Sequence, residues 1–342
     1  MNIRVHKLLT AVTGALLAAS LLAGCAQDSG SSADAGASSE AAKPKTKITI
    51  VAINGPTGVG LANLKKSSDA GETANEYAIR FVSSPEEAKA AITGGTADIA
   101  AVPTNLAATL YNKTSGAVRM VAVNTLGVLH IVENGASIQS VADLKGKTIL
   151  STGQGSNPEY VLNYVLTKNG LTPQKDVKIE YVQQNEEMMT SLIAGKYDIA
   201  MVPEPMATTV LSKKDTLRRA LDITAEWDKV SGGSRLMMGC VAGRQAFLQD
   251  NAQAVSVFLG EYEASVKKVS EDADSTAALC AEYGIISSAD IAKNAFPGCN
   301  ITFVAGKDMK TQIAGYFEAL AAADAKSVGG KLPADDFYYG AA

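Results

Sequence analysis

Four short stretches of this 342-residue chain hold most of the residues that could recognise a ligand. They run Asn54–Gly58, Pro103–Asn105, Thr152–Asn157 and Pro203–Pro205. Each follows a short apolar run and precedes a helical pattern, so each reads as a loop between a strand end and a helix start. Ligands of open α/β sheets bind at such places, where helix N–H groups are unpaired and the helix dipole is positive. The candidate contacts are Asn54, Gly55, Pro56, Thr57, Gly58, Thr104, Asn105, Thr152, Gly155, Ser156 and Asn157. These supply backbone N–H, hydroxyl and amide groups, and none of the four loops contains Lys or Arg. Such a set favours an anionic or strongly polar acceptor held by neutral donors. Glu204 is the one charged residue of the set, able to hold an ammonium or an N–H-rich ring, or else to be a solvated loop acid. Trp227, the single Trp, would either stack on a ligand ring or anchor a hinge.

Other chemistry finds little support. Gly55-x-x-Gly58-x-Gly60 lacks the Lys-Ser/Thr ending of a phosphate loop, and Gly153-x-Gly155-x-x-Pro158 breaks the dinucleotide pattern at its third position. The only histidines are His6 and His130, and no Cys cluster has metal-ligand spacing. No nucleophile stands beside a base in any recognisable motif. With 31 Lys+Arg against 35 Asp+Glu the net charge is −4, without a basic stripe, which argues against nucleic acid. No cofactor and no metal are expected, and catalysis is not.

The elements that must position the four loops repeat. Residues 85–111 and 185–211 align without a gap at an offset of 100. Glu86, Glu87, Gly95, Asp98, Ile99, Ala100, Val102, Pro103, Ala107 and Thr109 recur as Glu186, Glu187, Gly195, Asp198, Ile199, Ala200, Val202, Pro203, Ala207 and Thr209. Thr104 thus answers to Glu204. Each copy predicts a strand (Ile48–Ile53; Thr148–Ser151), a Gly-rich loop and helix, a second strand (Tyr77–Val82; Val177–Val182), and an Ala- or Met-bearing helix closed by Gly. A third strand follows (Asp98–Val102; Asp198–Val202). Strands alternating with helices imply mostly parallel sheets covered on both faces. Beyond the repeats, strands are expected at Leu217–Ile223 and Leu236–Ala242, and helices at Arg244–Val269, Asp274–Tyr283, Ser288–Ala295 and Asp308–Ala323. The chain is expected to cross between two lobes near Thr125–His130 and to return near Ser231–Met238.

The first residues read as a targeting segment. Arg4, His6 and Lys7 precede an apolar run from Leu8 to Ala23 that is short for a membrane span. It ends in Leu22-Ala23-Gly24-Cys25, which resembles the lipobox of bacterial lipoproteins. That resemblance implies cleavage before Cys25 and acylation of its thiol, palmitate-like, on the outer face of the cytoplasmic membrane; an ordinary secretory leader is the alternative. Residues 26–46 are rich in Ser, Ala and Gly and read as a flexible tether. Of the remaining Cys240, Cys280 and Cys299, three pairings are open. A Cys240–Cys299 bridge is favoured because Cys280 falls in an Ala-rich helical run.

This element order, the turn Asp143-Leu144-Lys145-Gly146-Lys147-Thr148, the Gly55-Pro56-Thr57-Gly58 loop, Gly94-Gly95-x-x-Asp98-Ile99-Ala100 and Val202-Pro203-Glu204-Pro205 together resemble one family. It is the ABC-transporter solute-binding proteins for nitrate, sulfonates, taurine and thiamine precursors. Related receptors often carry Trp-Glu before the Pro of the second-lobe loop, an aromatic wall missing here. The resemblance implies an α/β, two-lobed, periplasmic-binding-protein-like (type II) fold. Residues 1–24 would be the leader, 25–46 the linker, 47–126 with 235–342 the first lobe, and 127–234 the second. It implies a monomeric receptor that closes on a small polar molecule, sulfonate- or thiamine-precursor-like, and delivers it to an ABC permease and its ATPase. The alternatives are a pyrimidine-synthesis-like enzyme on the same fold, or a ligand sensor for a membrane receptor.

Overall fold

Strand runs and helix caps alternate from the start of the described chain. The computed structural model describes residues 45–341, so Cys25, the leader and most of the tether lie outside it. Among the described residues no helix is long and apolar enough to cross a membrane. The first copy of the repeat gives β1 (Lys47–Ile53), α1 (Pro56–Val59), α2 (Ala62–Asp69), β2 (Glu76–Val82), α3 (Pro85–Thr93), β3 (Ile99–Pro103) and α4 (Thr104–Lys113). Then β4 (Val118–Leu126) leads into β5 (Leu129–Asn134). The second copy gives β6 (Thr148–Ser151), α5 (Asn157–Lys168), β7 (Lys178–Tyr181), α6 (Asn185–Ile193), β8 (Ile199–Pro203) and α7 (Met206–Lys213). It continues into β9 (Leu217–Asp222) and α8 (Ile223–Val230). The remainder is β10 (Met237–Arg244), α9 (Gln245–Asp250), α10 (Ala252–Glu271), α11 (Ala273–Glu282), α12 (Ala289–Cys299), β11 (Ile301–Ala305) and α13 (Gly306–Ala323).

Two mixed sheets result, in the orders β11-β4-β10-β3-β1-β2 and β7-β6-β8-β5-β9. Within each, the repeat supplies a parallel trio with its first strand in the middle, β3-β1-β2 and β8-β6-β7. An antiparallel strand then flanks the third member: β10 lies on β3 and β5 lies on β8. The repeated aspartates explain how that neighbour is seated. Asp98 O accepts from Arg244 N at 2.9 Å, and Asp198 O accepts from Asn134 N at 2.7 Å. The Asp98 carboxylate also accepts from Thr49 N at 2.9 Å and pairs with the Arg244 guanidinium. The expected α/β architecture of sheets flanked by helices is therefore present. The sheets are mixed and not mostly parallel, because β4, β10 and β11 in one and β5 and β9 in the other join antiparallel to the trios or to each other.

Local signals decide where the helices begin. Ser84 caps α3, its hydroxyl accepting from Glu87 N at 3.3 Å, with Pro85 at the first helical position, where a missing N–H costs nothing. The continuous helix expected over Arg244–Val269 is instead three elements. Arg244 ends β10 because Asp98 holds it in the sheet, and α9 stops at Asn251 before α10 begins. Helix α12 runs through Pro297 to Cys299, beyond its expected end.

The bridge expected between Cys240 and Cys299 is absent. Cys240, Cys280 and Cys299 are all free and buried. Cys240 sits mid-strand in β10 and packs into the large core with Val102 and Val123, whereas Cys280 belongs to a separate cluster with Val59, Ile285 and Phe296. Burial pushes the Cys280 thiol up to about 12 and raises the other two as well.

Candidate functional site

The loops singled out in the sequence surround one cavity of about 660 Å³. Asn54, Gly55 and Pro56 come from the end of β1, Pro103 and Asn105 from the β3–α4 junction. Gly155, Ser156 and Asn157 arrive from the β6–α5 loop, and Pro203, Glu204 and Pro205 from the end of β8. Five helices present their first residues to this space: α3 through Pro85 and Glu86, α4 through Asn105, α5 through Asn157, α6 through Asn185 and α7 through Met206. Each such terminus favours negative charge by about 0.3–1 kcal/mol.

Local geometry shapes the lining. Gly55 has φ +89°, a left-handed conformation that glycine alone adopts cheaply, and its N–H donates to Ile285 O at 2.9 Å. Asn157 is buried; its Nδ2 donates to Met238 O at 3.2 Å, while its Oδ1 has no partner among the described residues. Gly155 N donates to Glu159 Oε2 at 2.6 Å and Ser156 Oγ to Gly153 O at 2.7 Å, so this loop is held by its own contacts.

Five of the residues singled out do not line the cavity: Thr57, Gly58, Thr104, Thr152 and Trp227. Thr57 Oγ1 donates to Ile53 O at 3.1 Å, and Gly58 is buried against it in α1. Thr104 Oγ1 donates to Met237 O at 2.8 Å, fastening the start of α4 to β10. Thr152 Oγ1 donates to Asn185 Oδ1 at 3.2 Å. Trp227 has no exposed surface; its indole N–H donates to Ser234 O at 2.8 Å, and it packs against Tyr164 and Tyr316. It is a core anchor and not a ligand platform.

Glu204 lines the cavity, yet its carboxylate is already committed. Oε2 accepts from Thr208 N at 3.1 Å and Thr208 Oγ1 at 2.8 Å. Oε1 takes the Arg219 guanidinium, and His130 Nε2 stands 3.7 Å away. The expected pairing with a ligand ammonium therefore fails on geometry: with its side chain wholly inaccessible, the acid serves Arg219 and the start of α7.

His130, the one described histidine, has neither ring nitrogen hydrogen-bonded among the described residues. Burial lowers its pKa from the usual 6.5, outweighing the opposing pull of Glu204 and Asp222, while Arg219 lowers it further. The unfolded chain therefore binds a proton that the folded chain resists, and stability falls as pH drops below about 6.5. Urea midpoints between pH 7.5 and 5.5 should decline in the wild type and flatten in His130→Asn. An identical slope in the variant would assign the decline to other groups.

Sequence reasoning missed Lys113, Lys326 and Ser327, which also line the cavity. Lys113 lay open to discovery, since Asn105, Thr109 and Lys113 repeat every four residues along one face of α4. Lys326 and Ser327 carry no such signal, because only the fold brings the C-terminal turn Ala325–Val328 onto α4.

Comparison with known proteins now adds to this geometry. Residues 70–237 match the family model described as ABC transporter, phosphonate, periplasmic substrate-binding protein. No curated protein sequence matches the chain. Among solved structures, an ABC transporter protein from Parabacteroides distasonis superposes with a TM-score of 0.71 at 22% identity, over 86% of this chain and 99% of that one. The periplasmic aliphatic sulphonate binding protein of Escherichia coli gives 0.69 at 14% identity, over 86% and 92%. The periplasmic nitrate-binding protein of Synechocystis gives 0.55 at 13%, over 73% and 69%. At such identities these structures establish the fold, while the family match carries the role. With the strand–loop–helix cavity described above, they make the chain similar to the periplasmic substrate-binding proteins of ABC importers.

Proposed function

We propose that the cavity binds a small organic oxyanion, a sulfonate or a phosphonate, and that the protein delivers it to an ABC permease without transforming it. The observation that carries this reading is the convergence of five helix N-termini on one cavity that also holds Lys113 and Lys326. Among the described residues the lining acids are Glu86 at the exposed rim and Glu204, which Arg219 already neutralises. The match to a phosphonate family and the likeness to a sulphonate binding protein point the same way.

In this reading residues 47–126 with 235–342 form one lobe and 127–234 the other, hinged where β4 passes to β5 and where α8 passes to β10. A ligand touching both lobes selects the closed arrangement because it binds that state better. Asn54, Gly55, Pro56 and Asn105 would meet it from the first lobe, and Gly155, Ser156, Asn157 and the backbone of Glu204 from the second. Cys25, acylated, would tether a monomer to the membrane surface.

A thermal-shift panel of C1–C3 sulfonates and phosphonates, with nitrate, neutral amino acids and pyrimidines as controls, tests the ligand class. At a hundredfold excess over Kd a bound ligand stabilises by about 2.7 kcal/mol, a rise of roughly 5 °C in Tm. Shifts confined to the uncharged or cationic controls would refute the oxyanion assignment.

A further inference from the structure

The cavity is longer than a single oxyanion requires. Asn105, Thr109 and Lys113 of α4 all line it, a span of about 12 Å at 1.5 Å per residue. At the far end of that span α4 meets the turn Ala325–Val328. Asn112 Nδ2 donates to Val328 O at 2.6 Å and to Lys331 O at 2.7 Å, and Thr109 Oγ1 to Ser327 O at 3.5 Å. These bonds fix the turn, and with it Lys326 and Ser327, against the helix.

Three features of this end call for a partner. Ser327 is 2% exposed, and its Oγ has no hydrogen-bond partner among the described residues although the residue lines the cavity. Buried hydroxyls are nearly always paired, so this enclosed one lacks a partner that a small shift of the turn on ligand entry would supply. Neither Lys113 nor Lys326 has a carboxylate within ion-pairing distance among the described residues. Two ammonium groups and a free hydroxyl suit an anion, and the helix N-termini around Asn105 and Asn157 already provide for another.

Resting on the oxyanion reading above, we propose that the cleft selects an elongated ligand with two anionic groups. The second group is held by Lys113, Lys326 and the Ser327 hydroxyl. Glu86 is the competing feature, because an exposed carboxylate at the rim would instead suit a ligand bearing an ammonium.

A matched three-carbon series separates these cases: propane-1-sulfonate, 3-aminopropane-1-sulfonate and propane-1,3-disulfonate, with the corresponding phosphonates run in parallel. Isothermal titration at low salt should show the two-headed anion binding about tenfold more tightly than the one-headed one, with added salt shrinking the difference. Lys113→Met/Lys326→Met should abolish that advantage, so that in the double variant the two-headed and one-headed anions bind within about twofold of each other. Ser327→Ala should reduce the advantage part-way. The proposal falls if the two-headed anion has no advantage, if the advantage survives in the double variant, or if the amino-sulfonate binds best. Each of those results leaves the oxyanion reading standing, because the one-headed compound still binds. Failure of every sulfonate and phosphonate to bind would remove that reading and this proposal together.

Discussion

Trp227→Ala is expected to destabilise the protein by about 3–5 kcal/mol, among the largest single-residue costs in the chain. The indole is fully buried, with ring centroids 4.4 Å from Tyr164 of α5 and 5.5 Å from Tyr316 of α13. Its removal leaves a cavity that three elements cannot close together. Trp227→Phe should cost far less. It keeps an aromatic ring, and Ser234 O, which loses the indole N–H, still accepts from Ser231 Oγ at 2.7 Å. Urea denaturation measures both. A Trp227→Ala protein of unchanged stability that had lost ligand affinity would restore the stacking role considered from sequence.

Arg219→Met is expected to cost about 2–3 kcal/mol, because it strands the buried Glu204 carboxylate with only Thr208 to satisfy it. The loss stays below the 3–5 kcal/mol or so of a fully enclosed pair because the Arg219 side chain is 40% exposed and screened by water. Glu204→Gln added to Arg219→Met should recover part of the stability, giving a positive coupling in a double-mutant cycle. The cost should also depend on pH. With Arg219 gone, His130, 3.7 Å from Glu204, becomes the nearest cation source, so its folded pKa rises. A raised folded pKa adds stability below that pKa and loses it above, so the variant's deficit should be larger at pH 8 than at pH 5.5. Additive single-variant effects and a pH-independent deficit would together show that the pair is a surface contact.

The legible part of this molecule is what the chain writes twice. Asp98 and Asp198, Pro103 and Pro203, and the glycines closing α3 and α6 mark strand starts, strand ends and helix ends through local rules, so the parallel trios and the loops at their tips could be placed by reading alone. The cavity itself followed, because strand tips converge wherever a parallel trio exists. What stayed hidden depends on distant pairings. Nothing local shows that Arg219, fifteen residues beyond Glu204, occupies the acid that the loop presents. Nothing local shows that Ser327 reaches α4, or that Thr104 turns toward Met237 and away from the opening. A short polar side chain at a loop tip has two directions available, and only the packed neighbours choose between them. The Cys240–Cys299 bridge fails for the same reason: packing decides which thiols meet, and it puts Cys240 within the sheet and Cys299 at the end of α12.

The three enclosed thiols give the molecule an internal record of its own excursions. Alkylating reagents need a thiolate they can reach, and burial denies both at Cys240, Cys280 and Cys299. Adduct formation in the folded protein therefore counts only the moments when a region comes apart. Cys240 lies in the central strand β10, between β3 and β4, while Cys280 and Cys299 ride on the helical pair α11 and α12. One mass spectrum taken through a labelling time course would thus separate breathing of the outer helices from rupture of the sheet, with no engineered probe.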